Sequence, residues 1–183
     1  LGTEIDVDRA VAAARRAFPA FSATTVAERA ALLGRIADGI EARRDELATT
    51  ISLEMGAPIT FARNAQAASG VSHFRQMRAT LEAYDFDIIQ GTTLITREGI
   101  GVVGMITPWN WPLNQIALKV APALAGGNTM VLKPSEECPG NAAIFAEILD
   151  AAGVPPGVFN LVQGDGPGVG AAISAHKGID MVS

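Results

Sequence analysis

Three short stretches of this sequence combine residue types and spacing that can do chemistry. They are Thr107-Pro108-Trp109-Asn110-Trp111-Pro112, Lys133-Pro134-Ser135-Glu136 and Gly164-Asp165-Gly166-Pro167-Gly168-Val169-Gly170. In the second, a lysine with a carboxylate three residues on can face the vicinal hydroxyls of a ribose. One hydroxyl would accept from Lys133 while both donate to Glu136. The same two residues read equally well as a surface ion pair near a helix N-terminus, where Glu136 favours the dipole. In the first stretch an amide stands between two indoles, just before a proline suited to the first turn of a helix. Asn110 is there either a helix cap beneath two core-covering indoles or a polar group offered to a ligand. The third stretch can cradle a phosphate on backbone amides if it joins a strand to a helix. Its spacing is G-x-G-x-x-x-G, because Val169 takes the last position of G-x-G-x-x-G, and Asp165 would repel a phosphate set directly over it.

Cys138 is the one thiol of the chain. It lies near the start of an expected helix, where the dipole can lower a thiol pKa. Glu136 and Glu137 precede it, however, and their charge opposes a thiolate. The two histidines, His73 and His176, are remote in sequence and read as surface or packing residues. Cys138 therefore reads as a small packed thiol. No spacing of His, Cys, Asp or Glu suggests a metal site.

The elements that must position these stretches differ between the two halves. The first eighty residues read as helices. Asp6 is a plausible cap for a segment with Val7, Val11, Ala14 and Phe18 on one face, ended by Pro19. Thr25-Val26-Ala27-Glu28 has the spacing of a capping box, followed by Leu32, Leu33, Ile36 and Ile40. Leu47, Ile51 and Met55 form a third set ending at Gly56 and Pro58. Phe61, Ala65, Ala68, Phe74 and Leu81 predict one more long helix. The pairs Arg15-Arg16 and Arg43-Arg44 fall on solvated faces. Ile88-Ile89 and Thr92–Thr96 flank Gln90-Gly91 and predict a hairpin. Beyond it, strands are expected at 101–106, 129–133, 157–162 and 179–183, and helices at 112–124, 139–152 and 168–175. This βαβαβαβ order predicts a parallel sheet with helices on its faces and a site beyond the strand ends.

Composition narrows the function classes. The 183 residues are 49% hydrophobic and 18% charged, which argues against disorder. A net charge of −5 disfavours a nucleic-acid partner. Mean hydropathy is +0.26, but the richest stretch, Ile116 to Leu132, is broken by Lys119, Pro122 and Gly126-Gly127, so no membrane span is expected. A single cysteine excludes a disulfide scaffold, and no signal peptide is legible. A cytoplasmic globular protein is the expectation. Leu1 and the apolar run to Ser183 read as the ends of a piece cut from a longer chain.

Taken together the stretches resemble the aldehyde dehydrogenase superfamily. The likeness rests on Gly101-Val102-Val103-Gly104, Thr107 through Leu113, Ala121-Pro122-Ala123-Leu124-Ala125 with Gly127-Asn128-Thr129, Lys133-Pro134-Ser135-Glu136, Val154-Pro155-Pro156-Gly157-Val158 and the final glycine turn. It covers essentially the whole chain. It implies an α/β fold of N-terminal helices (1–82), part of an oligomerisation hairpin (83–99) and a Rossmann-like NAD(P)-binding region (100–183). It further implies that Asn110 is an oxyanion-hole amide. Ile106, Thr107, Trp109, Lys133, Ser135, Glu136, Gly166, Pro167 and Gly170 would contact the cofactor. Trp111, Gln115 and Leu118 would line an aldehyde channel, and Lys119 would lie near a proton relay. The implied cofactor is NAD, with NADP possible, and the implied assembly is a homodimer or homotetramer.

The family reaction uses a cysteine nucleophile and a glutamate base, and the resemblance places both beyond Ser183. The expectation is an N-terminal portion of an aldehyde dehydrogenase, catalytically incomplete by itself. Two alternatives stand beside it: a stand-alone nucleotide-binding module, and a thiol enzyme centred on Cys138.

Overall fold

Local signals at the helix starts are realised with one shift of register. The computed structural model describes residues 1–183. Helix α1 spans Glu4–Ser22 and is capped by Thr3. Asp6, expected as the cap, is instead the third helical residue and accepts from both the amide and the hydroxyl of Thr3. Pro19 does not end α1. The helix runs one turn further because Phe21 is buried, and the hydroxyls of Ser22 and Thr24 donate to the carbonyls of Pro19 and Phe21. Helix α2 (Val26–Ala42) opens on the expected Thr25–Glu28 capping box. Helix α3 (Arg44–Met55) ends at Gly56, whose φ of 75° is the left-handed cap that favours glycine.

The single long helix expected next is broken into three pieces. A short α4 (Ile59–Phe61) runs into a π-helical stretch, Ala62–Ala67, and then into α5 (Ala68–Glu82). The wider turn gathers Ala62, Gln66 and Ala67 onto the buried side. Strands β1 (Asp87–Gln90) and β2 (Thr93–Thr96) form the expected antiparallel hairpin, paired only with each other.

Strands β3 (Val102–Ile106), β4 (Thr129–Lys133), β5 (Phe159–Leu161) and β6 (Met181–Val182) form a parallel sheet in the order β5-β4-β3-β6. Both later strands are shorter than expected. Helices α6 (Pro112–Ala125) and α7 (Pro139–Ala151) follow β3 and β4. After β5 the glycine turn is itself π-helical over Gly166–Gly170 and leads into a short α8 (Ala171–Ala175).

Alternation along the strands sorts the core into two layers. Val103, Met105, Met130 and Leu132 join the larger cluster with α2, α3, α5, α6 and α7. Val102 and Val131 join a smaller one with Val7, Val11 and Ala14 of α1 and with Ile173 of α8. Gly104 permits that second layer, since a Cβ there would lie 2.6 Å from Ile173. Arg15 and Arg16 are exposed, as expected, while Arg43 and Arg44 are half-buried, and all but Arg16 also make ion pairs. Arg15 holds Asp180 at 2.6 Å, and Arg43 holds Glu46 and Glu147 at 2.7 Å each. Arg44 pairs with Glu41. The chain progresses β3→β4→β5 to one side and then returns to β6 on the other, so the switch point lies at the end of β3.

Candidate functional site

Ile106 and Lys133 are register partners at the carboxyl ends of β3 and β4, so the loops that follow start side by side. Backbone bonds and buried side chains tie the loops together. The Thr107 amide donates to the Lys133 carbonyl at 3.1 Å, and the Cys138 thiol lies 3.7 Å from the Trp109 carbonyl. The Lys133 ammonium donates to the Gly164 carbonyl at 2.8 Å, which brings in the loop after β5.

Lys133 is only 2% exposed. Its three protons are all engaged, by Gly164, by the Pro134 carbonyl at 2.8 Å and by Glu136 at 2.9 Å. The ion pair of the surface alternative exists, but its lysine is buried and only Glu136 faces water. The Glu136 carboxyl is held below the usual carboxylate range, first by its own backbone amide and next by the Lys133 ammonium. It is therefore a charged acceptor at neutral pH. Ser135 is buried, and its hydroxyl accepts from the Glu137 amide at 3.2 Å.

The glycine turn sits against this pair. Gly170 is buried along the Lys133 stem, and a Cβ on Gly166 would meet open space. Gly166 and Pro167 are exposed. Asp165 does not lie free beneath an anion; its carboxylate accepts from the Gly168 amide at 2.7 Å and caps the turn.

In the loop after β3, Ile106 is half-buried and its amide donates to Ser183. Thr107 is buried, and its hydroxyl has no protein partner. Trp109 is 52% exposed and Asn110 is exposed. The helix-cap alternative for Asn110 does not hold: Trp111 is the N-cap of α6, and no side chain caps it. Nor does Trp109 cover the core. Trp111 is half-buried and meets Phe61 edge to face at 5.5 Å. Gln115 and Leu118 follow Trp111 at positions i+4 and i+7, on one face of α6. Lys119 donates to the Ser183 hydroxyl at 2.8 Å.

Two features escape sequence reasoning. Gln66 reaches from the π-helical stretch to the Asn110 carbonyl at 3.4 Å. Its only sequence signal was a polar residue in an alanine-rich buried stripe. Glu54 on α3 accepts from the amides of Gly140 and Asn141 and so caps α7 from a distance. No local pattern marks it. Cys138 is the backbone N-cap residue of α7 and is buried; burial first, then Glu54 and Glu137, push its thiol up to about 11. The histidines tether helices: His73 bonds Asn114 at 2.7 Å, and His176 bonds Asp8 at 3.1 Å.

Helices on both faces of a parallel sheet, with three linked loops over its carboxyl edge, define a Rossmann-like, doubly wound α/β fold. The profile of the aldehyde dehydrogenase family matches residues 1–183. The chain is 56% identical to a 3-succinoylsemialdehyde-pyridine dehydrogenase of a Pseudomonas species, over 100% of this chain and 39% of that protein. Among solved structures it is similar to a mutant aldehyde dehydrogenase C of Pseudomonas syringae in complex with NAD+ and octanal. That match has a TM-score of 0.98 and 55% identity over 99% of this chain and 37% of that one. The NAD+ complex of a Bacillus cereus aldehyde dehydrogenase matches with a TM-score of 0.95 and 38% identity, over 99% of this chain and 38% of that one. This chain belongs to the aldehyde dehydrogenase family. It spans about 39% of the length of the curated relative it matches at 56% identity.

Proposed function

We propose that this chain is the cofactor-binding part of an NAD-linked aldehyde dehydrogenase that oxidises an aldehyde to a carboxylic acid. The observation that carries the reading is the pair of buried Lys133 and water-facing Glu136 at the end of β4, set against the Gly166–Gly170 turn. The residues present fit a dinucleotide. Thr107 offers a buried hydroxyl without a partner, Gly166 leaves room, and Glu136 is a charged acceptor beside an ammonium donor.

Lys133 and Glu136 would hold the adenosine ribose, with Lys133 exchanging one present acceptor for a ribose hydroxyl. Ile106, Thr107, Trp109, Ser135, Gly166, Pro167 and Gly170 would complete the contact. When bound, NAD supplies the hydride acceptor. Asn110 would donate its amide to the aldehyde oxygen as negative charge develops there. Trp111, Gln115 and Leu118 would form one wall of the channel, mixed in polarity and partly aromatic. Cys138 is not the nucleophile, because its thiol is neutral at physiological pH and buried. Glu136 would repel a 2′-phosphate, so NAD is preferred over NADP.

Residues 1–82 and 100–183 would form the cofactor-binding unit, and 83–99 would belong to an oligomerisation element. The hairpin exposes Ile88, Ile89 and Leu94, which supports a homodimer or homotetramer. No helix is long and apolar enough to cross a membrane. The net charge of −5 weighs against a nucleic-acid partner.

The test is steady-state kinetics of the complete gene product with an aldehyde series and each cofactor, beside calorimetric NAD binding. Aldehyde-dependent reduction with a higher kcat/KM for NAD than for NADP is the expected result. NAD binding without turnover of any aldehyde would instead support a non-catalytic nucleotide-binding module.

A further inference from the structure

We infer that Gln66 is a positioning residue for the Asn110 amide, gripping the loop after β3 from beneath together with the Cys138 thiol. The inference rests on the reading of Asn110 as the donor to the aldehyde oxygen. The Asn110 side chain is exposed and makes no hydrogen bond within the protein, so nothing holds its amide directly. Its direction is set by the backbone that carries it. That backbone is unusual: no backbone amide satisfies the carbonyls of Trp109 or Asn110, and the first such bond into α6 is Gln115 to Trp111. Two buried side chains from separate elements take their place. Gln66 Nε2 stands 3.4 Å from the Asn110 carbonyl, and Cys138 Sγ stands 3.7 Å from the Trp109 carbonyl.

Gln66 is poorly explained as a stabilising residue. It is 1% exposed, its second contact is the weak acceptor Met55 Sδ at 3.4 Å, and its Oε1 has no partner. A buried carbonyl left unpaired costs stability, and an apolar side chain of the same size would avoid that cost. Gln66 also lies within the π-helical stretch Ala62–Ala67, a backbone irregularity that recurs at functional sites. What the arrangement provides is a fixed peptide under a free amide. An oxyanion donor needs that, because it must already point at the developing charge. The Cys138 thiol can donate only while protonated, and its burial keeps it so.

The test is a cycle in the complete gene product, with Gln66→Leu and Gln66→Met each made alone and with Asn110→Ala. Both Gln66 variants should lower kcat about tenfold, leave the KM for NAD unchanged and keep the parent melting temperature. In the Asn110→Ala background, Gln66→Leu should cause no further loss, since there is no amide left to position. Cys138→Ala should lower kcat about twofold, and Cys138→Ser, which keeps a donor, should recover it. An equal fold-loss from Gln66→Leu in both backgrounds would overturn the proposal, as would unfolding of both Gln66 variants. A large loss in Asn110→Ala beside unchanged Gln66→Leu and Gln66→Met would overturn the positioning role alone. A near-normal Asn110→Ala would overturn the underlying role of Asn110, and the proposal with it.

Discussion

The loops after β3 and β4 leave from register partners, Ile106 and Lys133, yet they are built in opposite ways. After β4 the candidate side chain turns inward: Lys133 is buried and all three of its protons are engaged by the protein. After β3 the Trp109 and Asn110 side chains face outward, and it is their backbone carbonyls that are held from below. The first arrangement holds a buried charge whose three protons are already engaged, so under the proposed role it would exchange a partner on binding a ligand. The second presents a neutral amide on a backbone whose carbonyls are already contacted from below. Under the proposed roles, one loop would recognise a ligand with a penalty of rearrangement and the other would donate directly.

Breaking the outward loop should give the largest effect. Asn110→Ala in the complete gene product is expected to lower kcat by about a hundredfold, with NAD affinity unchanged by calorimetry. A near-normal rate would make Asn110 an ordinary surface residue and erase the contrast.

Next comes the inward loop. Lys133→Met leaves the Pro134 and Gly164 carbonyls and the Glu136 carboxylate without their donor. It should cost about 1–3 kcal/mol of stability in thermal melts and weaken NAD binding roughly tenfold. Asn110→Ala should leave the melting temperature untouched. If Lys133→Met melts like the parent, Lys133 is not an internal anchor.

A smaller effect concerns the thiol that bridges the two loops. Burial raises the folded-state pKa of Cys138 from an ordinary 9.0 to about 11. Its contribution to stability is therefore complete below pH 9.0 and lost as pH rises toward about 11. Iodoacetamide should label Cys138 very slowly at pH 8, and the thiolate absorbance should stay absent through the physiological range. Rapid labelling there would restore the thiol-enzyme alternative.

The smallest effect lies away from both loops, at the amino end of β3. Burial pushes the Asp180 carboxyl upward, but the Arg15 guanidinium and the Val102 amide outweigh it and hold it below 3.8. That stabilisation is present above pH 3.8 and is lost as pH falls through the lower native value. Asp180→Asn should cost less than about 1 kcal/mol near neutrality and flatten the acid limb of unfolding, without changing kcat. A change in kcat would couple this end of the sheet to the chemistry at the other.

Much of the scaffold was legible because its signals are local. The Thr25–Glu28 box, the Gly56 cap, the hairpin and the extent of β4 all appear where residue type and periodicity place them. The errors have equally local causes. Pro19 ends a helix in isolation, but burial of Phe21 carries α1 past it. The stripe from Phe61 to Leu81 reads as one helix because a π-helical turn changes the winding without interrupting the apolar spacing. The ion pairs of Arg15 with Asp180 and of Arg43 with Glu147 leave no local pattern, because those acidic partners come from other parts of the fold.

The sequence by itself determined the succession of strands and helices along the chain, the loops on which a site could stand and the residues those loops display. These follow from patterns within a few residues of one another. Only the tertiary structure decided how the displayed residues are held. Gln66 and Asn110 are 44 residues apart, Cys138 and Trp109 are 29 apart, and Lys133 and Gly164 are 31 apart. Arg15 and Asp180 are separated by 165 residues. Hydrogen bonds of that span have no signature in periodicity or capping, because they exist only after helices pack on both faces of the sheet and bring its strand ends together.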